Sequence, residues 1–119
     1  MKNEKALLDY ISLARTYSDS QERGDFTKSN KAADRLRNMM KKIQSDPLMA
    51  KQMIDSLMTH TDPNVLTWTS ILAFDMNYRK KEFAHILKSI AKDKSIGMQQ
   101  LEAEMILKEI YHIHFLSKH

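Results

Sequence analysis

Cysteine is absent from the 119 residues, which excludes disulfide frameworks, thiolate nucleophiles and cysteine-ligated metals together. Glycine and proline occur only twice each, where ordinary usage is about 7% and 5%. Strand-rich folds need frequent turn glycines, and phosphate- or dinucleotide-binding loops need glycine-rich turns. Their scarcity therefore points to helices joined by short polar connections. No apolar run approaches the roughly 20 residues that a membrane span requires. Met1-Lys2-Asn3-Glu4-Lys5 leads into an amphipathic stretch where a secretory signal would have an unbroken apolar segment. No membrane association and a cytoplasmic location are the resulting expectations.

What is present is an ordinary globular balance, 42% apolar and 29% charged residues with a net charge of +4. The length suits one domain over 1–119, with a single continuous core and no room for a second lobe. Apolar stripes at helical spacing then divide the chain into about six helices. The first, over about 3–19, carries Leu7, Ile11, Ala14 and Tyr17, backed by Leu8. A polar stretch, 18–25, interrupts before a second helix over about 26–45, whose inner face is Ser29, Ala33, Leu36, Met40 and Ile43, widened by Ala32 and Met39.

Asp46-Pro47 and Asp62-Pro63 read as helix starts. An N-cap aspartate accepts a bond from an orphan amide, and a proline at the first helical position has no amide to lose. The third helix then presents Ala50, Met53, Ile54, Leu57 and Met58, and the fourth Val65, Trp68, Thr69, Leu72, Ala73 and Met76. Asn77 is the expected cap of a fifth helix, about 79–93, with Phe83, Ile86, Leu87, Ile90 and Ala91 inward. Ser95 is the expected cap of a sixth over about 96–115, with Gly97 in its first turn and Leu101, Met105, Ile106, Leu107, Ile110 and Ile113 as its stripe. The fold class predicted is all-α.

The segment Leu57-Met58-Thr59-His60-Thr61-Asp62-Pro63-Asn64-Val65 resembles a HEAT signature, in which a helix ends, an Asp-Pro turn follows and a valine begins the next helix. Asn30-Lys31-Ala32-Ala33-Asp34-Arg35-Leu36 is similar to the second helix of a bacterial family of HEAT-like domains of unknown function, and the likeness extends over about 7–110. Leu66 stands where such units commonly have arginine, and Thr69 and Ser70 where they have paired alanines. This resemblance implies a short HEAT/ARM-like α-solenoid used for interaction, with no catalytic residues to carry over. Some small helical-repeat proteins of this kind resemble immunity proteins that neutralise a toxin, which implies such a role, or regulation of a partner, as the setting.

His112 and His114 lie two apart, so on a helix they point to different sides and cannot share a ligand face with each other; His119 follows, and His60 and His85 stand alone. No metal site or cofactor is expected. Asp46 and Asp62 are explained as caps, and Glu102, Glu104 and Glu109 as a solvated face, leaving no paired carboxylates for acid-base work. The expectation is a protein without enzymatic activity.

Candidate binding residues are basic. Lys28, Lys31, Arg35, Asn38 and Lys42 share one side of the second helix, and Lys81, His85, Lys88 and Lys92 repeat the pattern on the fifth, beside Arg79 and Lys80. Tyr78, in the connection before them, is the aromatic most available to a partner. A protein partner is the first expectation and nucleic acid the second. Lysines opposite an apolar face also have an ordinary explanation as the solvated side of an amphipathic helix, and aromatics do not interleave with them as single-strand stacking requires. Five methionines at 39, 40, 49, 53 and 58 suit an adaptable groove or, more simply, core filling.

Overall fold

Asp46 and Asp62 each precede a proline, and each starts a helix. In the computed structural model, which describes residues 2–117 and the side chains of 4–95 and 97–109, six α-helices follow one another. They are α1 (Lys2–Glu22), α2 (Phe26–Gln44), α3 (Pro47–Leu57), α4 (Pro63–Asp75), α5 (Lys80–Lys92) and α6 (Met98–Ser117), with a 3-10 turn at Lys94–Ile96. No strand occurs among the described residues. The all-α class and the six helices are those predicted.

Caps account for most boundaries. Asp46 accepts from the Met49 amide at 3.2 Å and Asp62 from the Asn64 amide at 2.9 Å, satisfying amides that have no partner inside the helix. Asp25 does the same for Lys28 at the start of α2. Helix α1 runs three residues beyond its expected end, because Ser20 stays helical by donating to the Thr16 and Tyr17 carbonyls. It stops at Gly24, whose φ of 76° is left-handed, with the Gly24 amide bonded to Gln21 and the Asp25 amide to Ser20. That pair of bonds is a Schellman ending, which favours a residue without a Cβ at the left-handed position.

Two expected caps are corrected. Asn77 does not start α5. It terminates α4 by the same Schellman pattern, with φ 54°, its amide bonded to Phe74 and the Tyr78 amide to Ala73. Asparagine tolerates the left-handed region, and that preference won over its N-cap preference. Ser95 does not start α6. Asp93 accepts from its amide and hydroxyl, which holds the 3-10 turn, and Gly97 stands before α6 with φ 79° and not within its first turn.

Inner faces match the apolar stripes on α2 to α5, where Leu36, Met40, Ile43, Ala50, Met53, Ile54, Leu57, Val65, Trp68, Leu72, Phe83 and Leu87 are buried. Met39, Met49 and Met58 are partly buried against this core, so all five of the methionines in question contribute to packing. Two faces are corrected. On α1, Leu8 is 65% exposed and the deepest aromatic is Tyr10, fully buried. On α6, Leu101 and Met105 are 56% and 64% exposed, whereas Gln99 and Ala103 are buried and Ile106 and Leu107 partly so. Ile110 and Ile113 lie outside the described side chains.

Helix α4 is central, packing on α1, α3, α5 and α6, while α1 and α2 form the most closely packed pair. Being enclosed, α4 buries hydroxyls as well as hydrocarbon. Thr67, Thr69 and Ser70 each donate back to a carbonyl of their own helix at 2.6–2.7 Å, which removes the cost of burying them. Since the Thr69 proton goes to Val65, the fully buried Tyr10 hydroxyl 3.3 Å away is the donor in their contact. Residue pairing gives the directions. Tyr10 meets Thr69 and Arg15 meets Asp62, so α1 is antiparallel to α4; Arg37 lies over Trp68 and Gln44 meets Asp75, so α2 is parallel to α4. Opposed α1 and α2, with α2 parallel to α4, are compatible with a small helical-repeat-like bundle.

The main core spans α1 to α4 and Phe83 of α5. A smaller cluster of Leu87, Ile90 and Ala103 joins α5 to α6, and Phe74 and Ile86 touch both. A polar seam closes the other end of α6, where buried Gln99 donates to Ser18 at 2.6 Å and to Asn64 at 3.0 Å.

Candidate binding surface

Helix α2 carries six cations, Lys28, Lys31, Arg35, Arg37, Lys41 and Lys42, against one acid, Asp34. That surplus of five exceeds the net +4 of the whole chain. All six are exposed. Lys28, Lys31, Arg35 and Lys42 lie on one flank, as their spacing predicts, and Arg37 and Lys41 on the other.

On α5 the stripe of Lys81, His85, Lys88 and Lys92 is also exposed, opposite the buried Phe83, Leu87 and Ile90. The two stripes are not brought together by packing. The principal neighbours of α2 are α1 and α3, and those of α5 are α4 and α6.

Tyr78 and Arg79, expected beside the α5 stripe as available contact groups, are engaged within the fold. The Tyr78 hydroxyl donates to Asp55 at 2.9 Å, and the Lys51 ammonium and Arg79 guanidinium lie 5.5 and 5.4 Å from its ring centre. Arg79 pairs with Asp55 and, at 2.9 Å, with Glu82. Its backbone is left-handed, φ 53°, and its guanidinium has no acceptor with which to cap α5; these ion pairs hold the connection in place of a cap. Partial desolvation acts to raise the Asp55 carboxyl, but the Arg79 and Tyr78 bonds outweigh it and hold the group below the usual carboxylate range. Tyr78 is therefore half-buried, a correction to its expected availability.

Between α2 and α4 the surface opens into a groove of about 300 Å³. Met40, Trp68 and Ile71 form its floor, Arg37 and Lys41 one wall, and Gln44 and Asp75 one end. Trp68 is only 7% exposed; Arg37 lies 6.0 Å from its ring centre and Tyr17 meets it edge-on at 5.2 Å. The parallel register of α2 and α4 makes this groove. No single spacing on either helix announced it, because Arg37 and Lys41 lie off the lysine stripe and Ile71 off the expected inner face of α4.

The carboxylates are arranged for structure. Asp46 and Asp62 cap helices as predicted. Glu102, expected in solvent, is half-buried and accepts from Tyr17 at 3.2 Å, with Gln21 donating to the same hydroxyl. Burial raises the Glu102 carboxyl, and burial together with the Glu102 charge raises the Tyr17 hydroxyl. His60 accepts the Asp62 amide through Nδ1, an intraloop bond. Among the described residues no three His, Asp or Glu side chains are placed to hold a metal, and no helix is long and apolar enough to cross a membrane. His112 and His114 lie outside the described side chains, and His119 outside the described residues.

No protein-family model matches the chain, and neither the curated proteins nor the solved structures give a significant match.

Proposed function

We propose that the chain is a non-catalytic helical-repeat module that binds an acidic face of another protein, with neutralisation of a toxin, as an immunity protein does, or regulation of a partner as its setting. The observation that carries this reading is the segregation of charge. Helix α2 holds a larger positive surplus than the whole chain, and among the described residues the exposed Arg37–Asp34 pair is the ion pair that its cations make. An exposed basic face on a packed scaffold speeds association with, and selects for, partners of opposite sign. The HEAT-like resemblance supports a binding role in the same direction, since stacked helices present extended surfaces.

Nucleic acid is the second reading, favoured by the lysine stripes of α2 and α5. Tagged chain used to capture partners from its source lysate, with nuclease treatment and a salt titration, separates the two. A stoichiometric protein that survives nuclease supports the first reading. Nucleic acid alone, lost steeply between low and moderate salt, overturns it.

A further inference from the structure

We infer that the groove between α2 and α4 seats an acidic peptide segment of the partner protein, one that carries an aliphatic or aromatic anchor side chain among its carboxylates. This rests on the protein-binding reading and names the chemistry that the groove selects. Three properties of the groove set that chemistry.

The wall is cationic. Lys41 is exposed and has no ion-pair partner among the described residues, and the Arg37 side chain is 62% exposed. Arg37 spends one nitrogen on Asp34 at 3.3 Å, which leaves other donors of its guanidinium for an incoming carboxylate.

The floor is apolar. Ile71 is half-buried above Met40 and Trp68, so an aliphatic or ring side chain placed there removes hydrocarbon from water on both sides. A cationic wall beside an apolar floor matches a segment that alternates acidic and apolar groups; Trp, Met and Arg are also the residues enriched where proteins meet.

The third property separates this occupant from single-stranded nucleic acid. A base needs an open aromatic face on which to stack. Trp68 offers none, being only 7% exposed, with Arg37 over its ring and the Tyr17 ring packed perpendicular to it. Asp75, at one end of the groove and bonded to Gln44 at 3.5 Å, repels phosphate or carboxylate there and so orients the segment towards Arg37 and Lys41.

Trp68 is the sole tryptophan of the chain, so its fluorescence reports on this groove alone. The probe is a short synthetic peptide of glutamates flanking a leucine, run beside an all-glutamate peptide of equal charge and a single-stranded oligonucleotide. The leucine-containing peptide is expected to change Trp68 emission saturably and to bind more tightly than the all-glutamate peptide. Lys41→Glu should weaken it at least about tenfold, whereas Lys92→Glu, an equal charge change on α5, should alter affinity by no more than about twofold. Equal losses from the two substitutions, equal binding of the all-glutamate peptide, or a larger emission change with the oligonucleotide would each overturn the assignment. A captured partner protein that binds the Lys41→Glu chain with unreduced affinity removes the groove but leaves the protein-binding reading intact. Failure of that reading is distinct, and shows as capture of nucleic acid without protein.

Discussion

The Tyr17 hydroxyl donates to Glu102 at 3.2 Å, joining α1 to α6 across 85 positions of the chain. Burial raises the Glu102 carboxyl, so the folded chain holds that proton more tightly than the unfolded chain does. The stability this contributes is complete below the ordinary carboxylate pKa and is lost as pH rises through the folded-state value. Above that value Glu102 is a partly desolvated charge. Glu102→Gln keeps an oxygen to accept from Tyr17 and removes the charge. It is expected to raise stability by about 0.5–1 kcal/mol where Glu102 is ionised and to flatten the fall in Tm as pH rises above the ordinary carboxylate range. Thermal unfolding across pH checks this; a lower Tm at neutral pH with an unchanged slope would contradict it.

Gln99 holds the same seam by hydrogen bonds alone, and truncating it strands the Ser18 hydroxyl and the Asn64 carbonyl oxygen in a buried place. Gln99→Ala is expected to cost about 1–3 kcal/mol in urea unfolding. Gln99→Glu should cost more at neutral pH, since it sets a charge beside the Asn64 oxygen. Equal stability of the wild type and both variants would show the seam to be open to water.

The exposed stripe of α6 offers a contrast with the core. Leu36→Ala, at a fully buried site, is expected to lose about 2–5 kcal/mol. Leu101→Gln and Met105→Gln should stay within about 0.5 kcal/mol of wild type despite their helical spacing. A loss above that at either position would mean that α6 buries this face.

Capping is testable by the same measurement. Asp46→Ala removes one bond to a backbone amide and is expected to cost about 1 kcal/mol. Asp62→Ala should cost more, because that carboxylate also accepts from Arg15 and from the Asn64 side chain. The reverse order in urea unfolding would show that the Arg15 and Asn64 bonds contribute nothing.

Much of the fold is legible in the sequence where local rules and tertiary packing agree. Asp-Pro twice satisfies a helix start by itself, and the α2 to α5 stripes name residues that are buried or partly buried. The failures have a common form, a local preference with two outlets. Asn77 serves equally as an N-cap or as a left-handed terminator, and only the preceding Ala73 and Phe74 carbonyls decide it. Helix α6 misleads because its buried face includes the polar Gln99, so the apolar count points to Leu101 and Met105. The basic flank of α2 is legible as spacing. Its groove is not, since it depends on Trp68 and Ile71, brought beside Arg37 and Lys41 by the parallel register of two helices some 30 residues apart.

The most direct test of a protein-binding role is the mass, by light scattering after chromatography, of whatever the tagged chain retains from nuclease-treated source lysate at moderate salt. The account predicts a complex heavier than the 13.9 kDa chain by one discrete acidic protein, dispersed when Arg37 and Lys41 are both reversed to glutamate. The chain eluting alone, with nucleic acid as the only material retained before nuclease, would contradict it.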